Sequence, residues 1–150
     1  MKLTKRPSTL FLSLFLLSAF ALISTQGFAQ AQSQEPVYNE LAGSGKKCPI
    51  GQDYYFIYEF DQTPKMGTAI LKIRLFDGRG NRTTKLTIKG QSDMPSMRGA
   101  HDSGEVLFKL NRKGDYLLPV NIVMPGEWEV RLVFLKGEDV IYRGFLRFNV

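Results

Sequence analysis

A chain of 150 residues that is 43% hydrophobic and has one cysteine can build one sizeable core, but no internal disulfide. Its formal charge of +6 comes from 20 basic and 14 acidic residues; without Lys2, Lys5 and Arg6, which precede an apolar stretch, 17 and 14 remain, a net +3. The other basic residues alternate with apolar ones instead of forming a basic stripe, so nucleic acid is excluded as an expected partner.

At the N-terminus, Lys2, Lys5 and Arg6 are followed by the apolar run from Leu10 to Ile23 and then by the small residues of Gly27-Phe28-Ala29 and Ala29-Gln30-Ala31. A basic start, an apolar centre and an A-x-A-like end predict a secretory signal peptide over 1–29, cut after Ala29 or Ala31. The apolar run is about 14 residues, short of the roughly 20 that span a bilayer. No second run of spanning length follows, so no membrane insertion is expected after cleavage, and the expected location is periplasmic or secreted. Cys48 lies too far beyond the apolar run to serve as a lipoprotein cysteine.

Residues 30–47, rich in Gln, Ser, Ala and Gly, predict a flexible leader, with the folded domain over 48–150. From Tyr54 onward the pattern has period two. Ala69, Leu71, Ile73 and Leu75 alternate with Lys72 and Arg74; Leu86 and Ile88 with Lys85, Thr87 and Lys89; Trp128, Val130, Leu132 and Phe134 with Glu127, Glu129 and Arg131. Tyr116, Leu118, Val120 and Ile122 form another inward set. Half-buried antiparallel strands produce this alternation, and helices do not. Turn signals at 76–81, 111–115, 124–126 and 136–139 separate about seven strands, near 54–60, 68–76, 83–89, 104–110, 115–123, 127–135 and 139–149. Seven short strands in about 100 residues predict an all-β, immunoglobulin-like sandwich. Trp128 is its expected central core residue, and Tyr116 is expected near a sandwich corner.

One polar run interrupts the alternation: Ser92-Asp93-Met94-Pro95-Ser96-Met97-Arg98-Gly99-Ala100-His101-Asp102. It holds two of the four methionines after the start Met and the only histidine. Thioethers and an imidazole are soft donors suited to copper(I), and thioethers stay competent where thiols oxidise. In an extended strand Met94 and Met97 would face opposite ways, so convergence on one ion requires Pro95 to break the strand. Met124, in a second Met-Pro turn, is a further candidate donor. The alternative is that these methionines fill gaps in a small core and His101 is solvated.

Catalysis finds little support. There is no G-x-S-x-G elbow, and a triad would have to use His101. Cys48 is a candidate nucleophile only if His101 lies beside it, and otherwise reads as an incidental thiol at the edge of the leader; a copper ligand or an intermolecular disulfide are its other roles. Glu127 and Glu129 are expected on an outward, solvated strand face.

The sequence Met94-Pro95-x-Met97, then His101, a strand, Gly114-Asp115-Tyr116, another strand and Met124-Pro125-Gly126-x-Trp128-x-Val130 resembles the YtkA-like domain, to which FixH-like proteins are related. The similarity runs from about Gly67 to Val150. It implies an immunoglobulin-like sandwich, exported or tethered, without catalytic activity, and found near copper handling in respiratory oxidase assembly and metal efflux. Met94, Met97, His101 and Met124 match the family's Met/His-bearing loops. The chain departs from the family in placing Arg98-Gly99-Ala100 between the second Met and the His, which sets a cation beside the ion. The expected cofactor is copper(I), and the expected partner a copper-handling or envelope protein. The competing expectation is a structural or interaction module without metal, recognising partners by strand addition at an exposed edge, for instance the last strand with Arg143 and Arg147.

Overall fold

Alternation of buried and exposed side chains sets the architecture of residues 35–150, which are the residues described in the computed structural model; the predicted signal peptide, 1–29, lies outside them. Ten strands are formed: β1 Asn39–Glu40, β2 Lys47–Ile50, β3 Tyr54–Phe60, β4 Gly67–Asp77, β5 Thr87–Asp93, β6 Val106–Leu107, β7 Lys109–Leu110, β8 Tyr116–Ile122, β9 Glu127–Lys136 and β10 Asp139–Asn149. They make two five-stranded sheets, ordered β1-β10-β9-β5-β6 and β2-β3-β4-β8-β7. Every pairing is antiparallel except that of β1 with β10. The fold is a β-sandwich, as the period-two pattern predicts. Among the described residues no α-helix occurs, and no helix is long and apolar enough to cross a membrane.

The inward sets meet between the sheets. Phe56, Leu71, Ile73 and Leu75 come from one sheet and Ile88, Trp128, Val130, Leu132 and Phe134 from the other, all fully buried. Each large apolar side chain so buried contributes about 1.5–3 kcal/mol. The rings of Phe56 and Phe134 pack 4.6 Å apart across the interface. Tyr116 is buried with its hydroxyl donating to the Leu86 carbonyl at 2.6 Å, tying β8 to the chain entering β5.

Three expectations need correction. The strand expected at 83–89 runs instead from 87 to 93. Arg82 still bridges Phe76, and the Thr83 N–H still donates to the Leu75 carbonyl, so 83–86 is the crossing between sheets. The inward positions that continue the strand are Gly90 and Ser92, too small to signal burial in the sequence; a Cβ on Gly90 would lie 2.6 Å from Leu118 and 2.8 Å from Phe108. The strand expected at 104–110 is split. Val106 and Leu107 pair with β5, Lys109 and Leu110 pair with β8, and buried Phe108 is the pivot between the sheets. Thirdly, the part of the expected leader beyond residue 35 is ordered into the fold. β1 lies on β10, the Leu41 N–H donates to Phe145 O, and the Leu41 side chain packs where Gly144 lacks a Cβ. The domain therefore includes residues ahead of Cys48.

Candidate metal centre

Asp93 ends β5 and organises the loop that follows. Pro95 has no N–H to continue the ladder, and Pro95–Met97 closes a single 3-10 turn. One Asp93 carboxylate oxygen accepts the Met94 N–H and the other the Gly99 N–H, both at 2.8 Å. The Met97 N–H donates to Met94 O and the Ala100 N–H to Met97 O, each at 3.0 Å, while Gly99 takes the left-handed conformation at φ +83°. At the far end Gln91 donates to the Asp102 carboxylate at 2.7 Å, and Ser92 and Ser103 exchange backbone and hydroxyl bonds at 2.9 Å. The strand is broken at Pro95, with Met94 turned into the core and Met97 left exposed.

Two of the four predicted donors face the core side of this end. Met94 is 3% exposed, and its methyl lies so near Gly126 that a Cβ there would stand 2.9 Å from it. Met124 is half-buried against the core, and its carbonyl accepts the Trp128 indole N–H at 3.1 Å. His101, half-buried, sets its ring 6.2 Å from the Trp128 ring at an interplanar angle of 39°. It lines a cleft of about 300 Å³ with Ser92, Asp102, Asn121, Val123 and Trp128. Met97 is 38% exposed. Met94 thus packs on Gly126 and Met124 lies in the same turn, while His101 faces Trp128 from a cleft that none of the methionines lines, and Met97 is turned toward solvent. No group of three or more His, Cys, Asp and Glu side chains with metal-binding geometry exists among the described residues. The side chains placed about this end, the Met94 and Met124 thioethers and the His101 imidazole, are of the soft donor type that copper(I) takes.

Arg98, expected as an unhelpful cation, is committed elsewhere. Its guanidinium contacts Glu129 at 3.2 Å, and the same carboxylate binds Arg131 and Arg147 at 2.9 Å each. Glu129 is 4% exposed, contrary to its expected solvation, because three arginines cover it. Burial pushes its carboxyl up, but the three guanidinium hydrogen bonds outweigh that, and its pKa lies below the ordinary glutamate value. The cluster joins the loop, β9 and β10 on the outer face of one sheet. The sequence assigns Asp93 no role and places Glu129 in solvent. An Asp directly before Met-Pro is a recognisable turn-capping signal, whereas nothing local marks Glu129.

Cys48, expected at the edge of the leader, lies inside the folded domain. It is 2% exposed on β2, with its thiol 3.8 Å from Lys46 O and 4.0 Å from Ala42 O. Burial pushes the thiol pKa up more than the Ala42 carbonyl lowers it, the reverse of an activated nucleophile. Its hydrogen-bond partners are these backbone carbonyls, while the His101 ring faces Trp128. The last strand, expected as an open edge, has β9 on one side and β1 over Gly144–Phe145 on the other.

No family model matches the chain, and no curated protein matches it. Among solved structures it is similar to 'as isolated' FetP of uropathogenic E. coli strain F11, recombinantly expressed in the periplasm of E. coli BL21(DE3). The identity is 12%, covering 71% of this chain and 93% of that chain, with a TM-score of 0.48.

Proposed function

We propose that the protein is an exported, non-catalytic accessory domain of the YtkA-like type. It binds copper(I) at the end of the sandwich formed by the 94–101 loop and the 124–128 turn, and serves copper handling or oxidase assembly in the cell envelope. The observation that supports this reading is that Met94 and His101 reach two neighbouring residues of one segment, Gly126 and Trp128, which Met124 precedes, with Met97 exposed on the same loop as His101. Met97 and His101 are the accessible donors, and Met94 and Met124 complete the set from the core side. The export signal predicted over 1–29 and the Met-Pro-x-Met and Met-Pro-Gly-x-Trp motifs support the envelope location and the family. The inert setting of Cys48 supports a non-catalytic role.

Titration of the protein with copper(I) under reducing conditions tests the site. Met94→Leu, Met97→Leu and His101→Ala should each weaken binding at least tenfold, about 1.4 kcal/mol; affinity unchanged in all three overturns the assignment. One observation favours a second reading, in which the loop only closes the sandwich: Met94 is packed on Gly126 as a core residue. Under that reading the parent protein binds no copper(I), and Met94→Ala costs about 2–5 kcal/mol of stability.

A further inference from the structure

β6 and β7 are the outermost strands of their respective sheets, so residues 105–110 form one continuous edge serving both. Natural edges are blunted by charge, proline or coverage. The opposite edge follows that rule: β2 carries Lys47 and Pro49 outward and turns Cys48 and Ile50 into the core. The 105–110 edge does not. Val106, Leu107 and Leu110 are 42%, 56% and 51% exposed, among the largest apolar exposures in the domain. The Phe108 N–H donates to Ile88 O and Val106 pairs with Gly90, so by strand alternation the Leu107 N–H and C=O point away from the sheet.

Charge along this segment indicates the occupant. Asp102 and Glu105 precede the apolar residues, and Lys109, Arg112 and Lys113 follow them. An acidic start and a basic finish make the edge complementary to itself in the antiparallel sense, whereas parallel pairing would oppose like charges. With Leu107 on a two-fold axis, Glu105 of one copy faces Lys109 of the other. Among the described residues Glu105 pairs with Lys89 at 2.8 Å on the surface, a solvent-exposed contact that a bridge to a second copy could replace or share.

We propose that residues 105–110 lie antiparallel against the same residues of a second copy, forming an isologous dimer in which the Leu107 backbones bond each other on the two-fold axis and the flanking residues, whose Lys109 backbone is turned to β8, meet through their side chains. Sedimentation velocity on the protein as its expression host processes it, over a range of concentrations, tests this. A dimer is expected, and Leu107→Lys should leave it monomeric but folded, with the parent's circular dichroism spectrum. Glu105→Lys and Lys109→Glu should each raise the dimer Kd about tenfold, and the two together should restore it to within about threefold of the parent. A parent protein monomeric up to about 1 mM, the concentration at which association is worth only about 4 kcal/mol, overturns the proposal. So does a dimer that Leu107→Lys leaves intact, or a double swap that fails to recover the loss.

Discussion

Residues 39–50 and 106–110 both cross from one sheet to the other, each closing one side of the sandwich, yet they dispose of their side chains in opposite ways. The first turns Leu41, Cys48 and Ile50 inward and leaves Lys46, Lys47 and Pro49 outside. The second turns only Phe108 inward and leaves Val106, Leu107 and Leu110 in solvent. One topological task is therefore met once by full burial and once by a single anchor. The difference shows that closing a sandwich needs few buried residues. The apolar residues left over on the 106–110 side are surplus to folding, which is where a partner-facing role is to be sought.

The largest expected effect falls on that single anchor. Phe108→Ala should destabilise the domain by about 3–5 kcal/mol in chemical denaturation; a loss below 1 kcal/mol would mean that the crossing holds without it. Next comes the floor beneath the anchor. Gly90→Ala, by forcing a methyl against Phe108 and Leu118, should cost about 1–3 kcal/mol, with a lowered melting temperature as the readout.

Acid should separate the two sides. Asp115 ends the turn that joins β7 to β8. It is bound by Arg82 at 2.8 Å and by Asn111 at 3.0 Å. Burial raises its pKa, but those partners more than reverse the shift, so the folded value lies below the ordinary one. Its contribution is complete above the unfolded value of about 3.9 and fades as the pH falls through the folded value. Among the acidic residues of segment 39–50, only Glu40 is present, with no such partner. Amide protection over 106–116 should therefore decline below about pH 4 before that over 39–50 does. The smallest effect belongs to the surplus residues: Leu107→Ser should change monomer stability by less than about 0.5 kcal/mol. A larger loss would place Leu107 in the folding core and erase the contrast.

The same contrast explains what the sequence made legible. β3, β4, β8, β9 and β10 alternate large apolar with polar residues, and their bounds are close to those expected. β5 was misplaced because its inward continuation, Gly90 and Ser92, has no apolar side chains to count. Segments 39–50 and 104–110 were misread because a chain passing between sheets presents one face to each, so alternation within either is too short to detect. At the candidate site, sequence supplied the candidate donors and the need for a break at Pro95. It did not supply their unequal burial, which depends on Gly126 leaving room for the Met94 methyl, nor the reach of Arg98 to Glu129 across 31 residues. Both are contacts between elements far apart in the chain, invisible to any local pattern.

Trp128 has a practical consequence beyond packing. It is the only tryptophan, 1% exposed, with the His101 imidazole stationed 6.2 Å from its ring and the Met124 carbonyl on its N–H. The molecule thus carries one native fluorophore at the base of its candidate centre. A shielded indole emits toward the blue, and a bound soft ion or a displaced imidazole nearby alters its yield. Unfolding, departure of the loop and arrival of a metal would therefore each leave a separate optical trace, with no label attached.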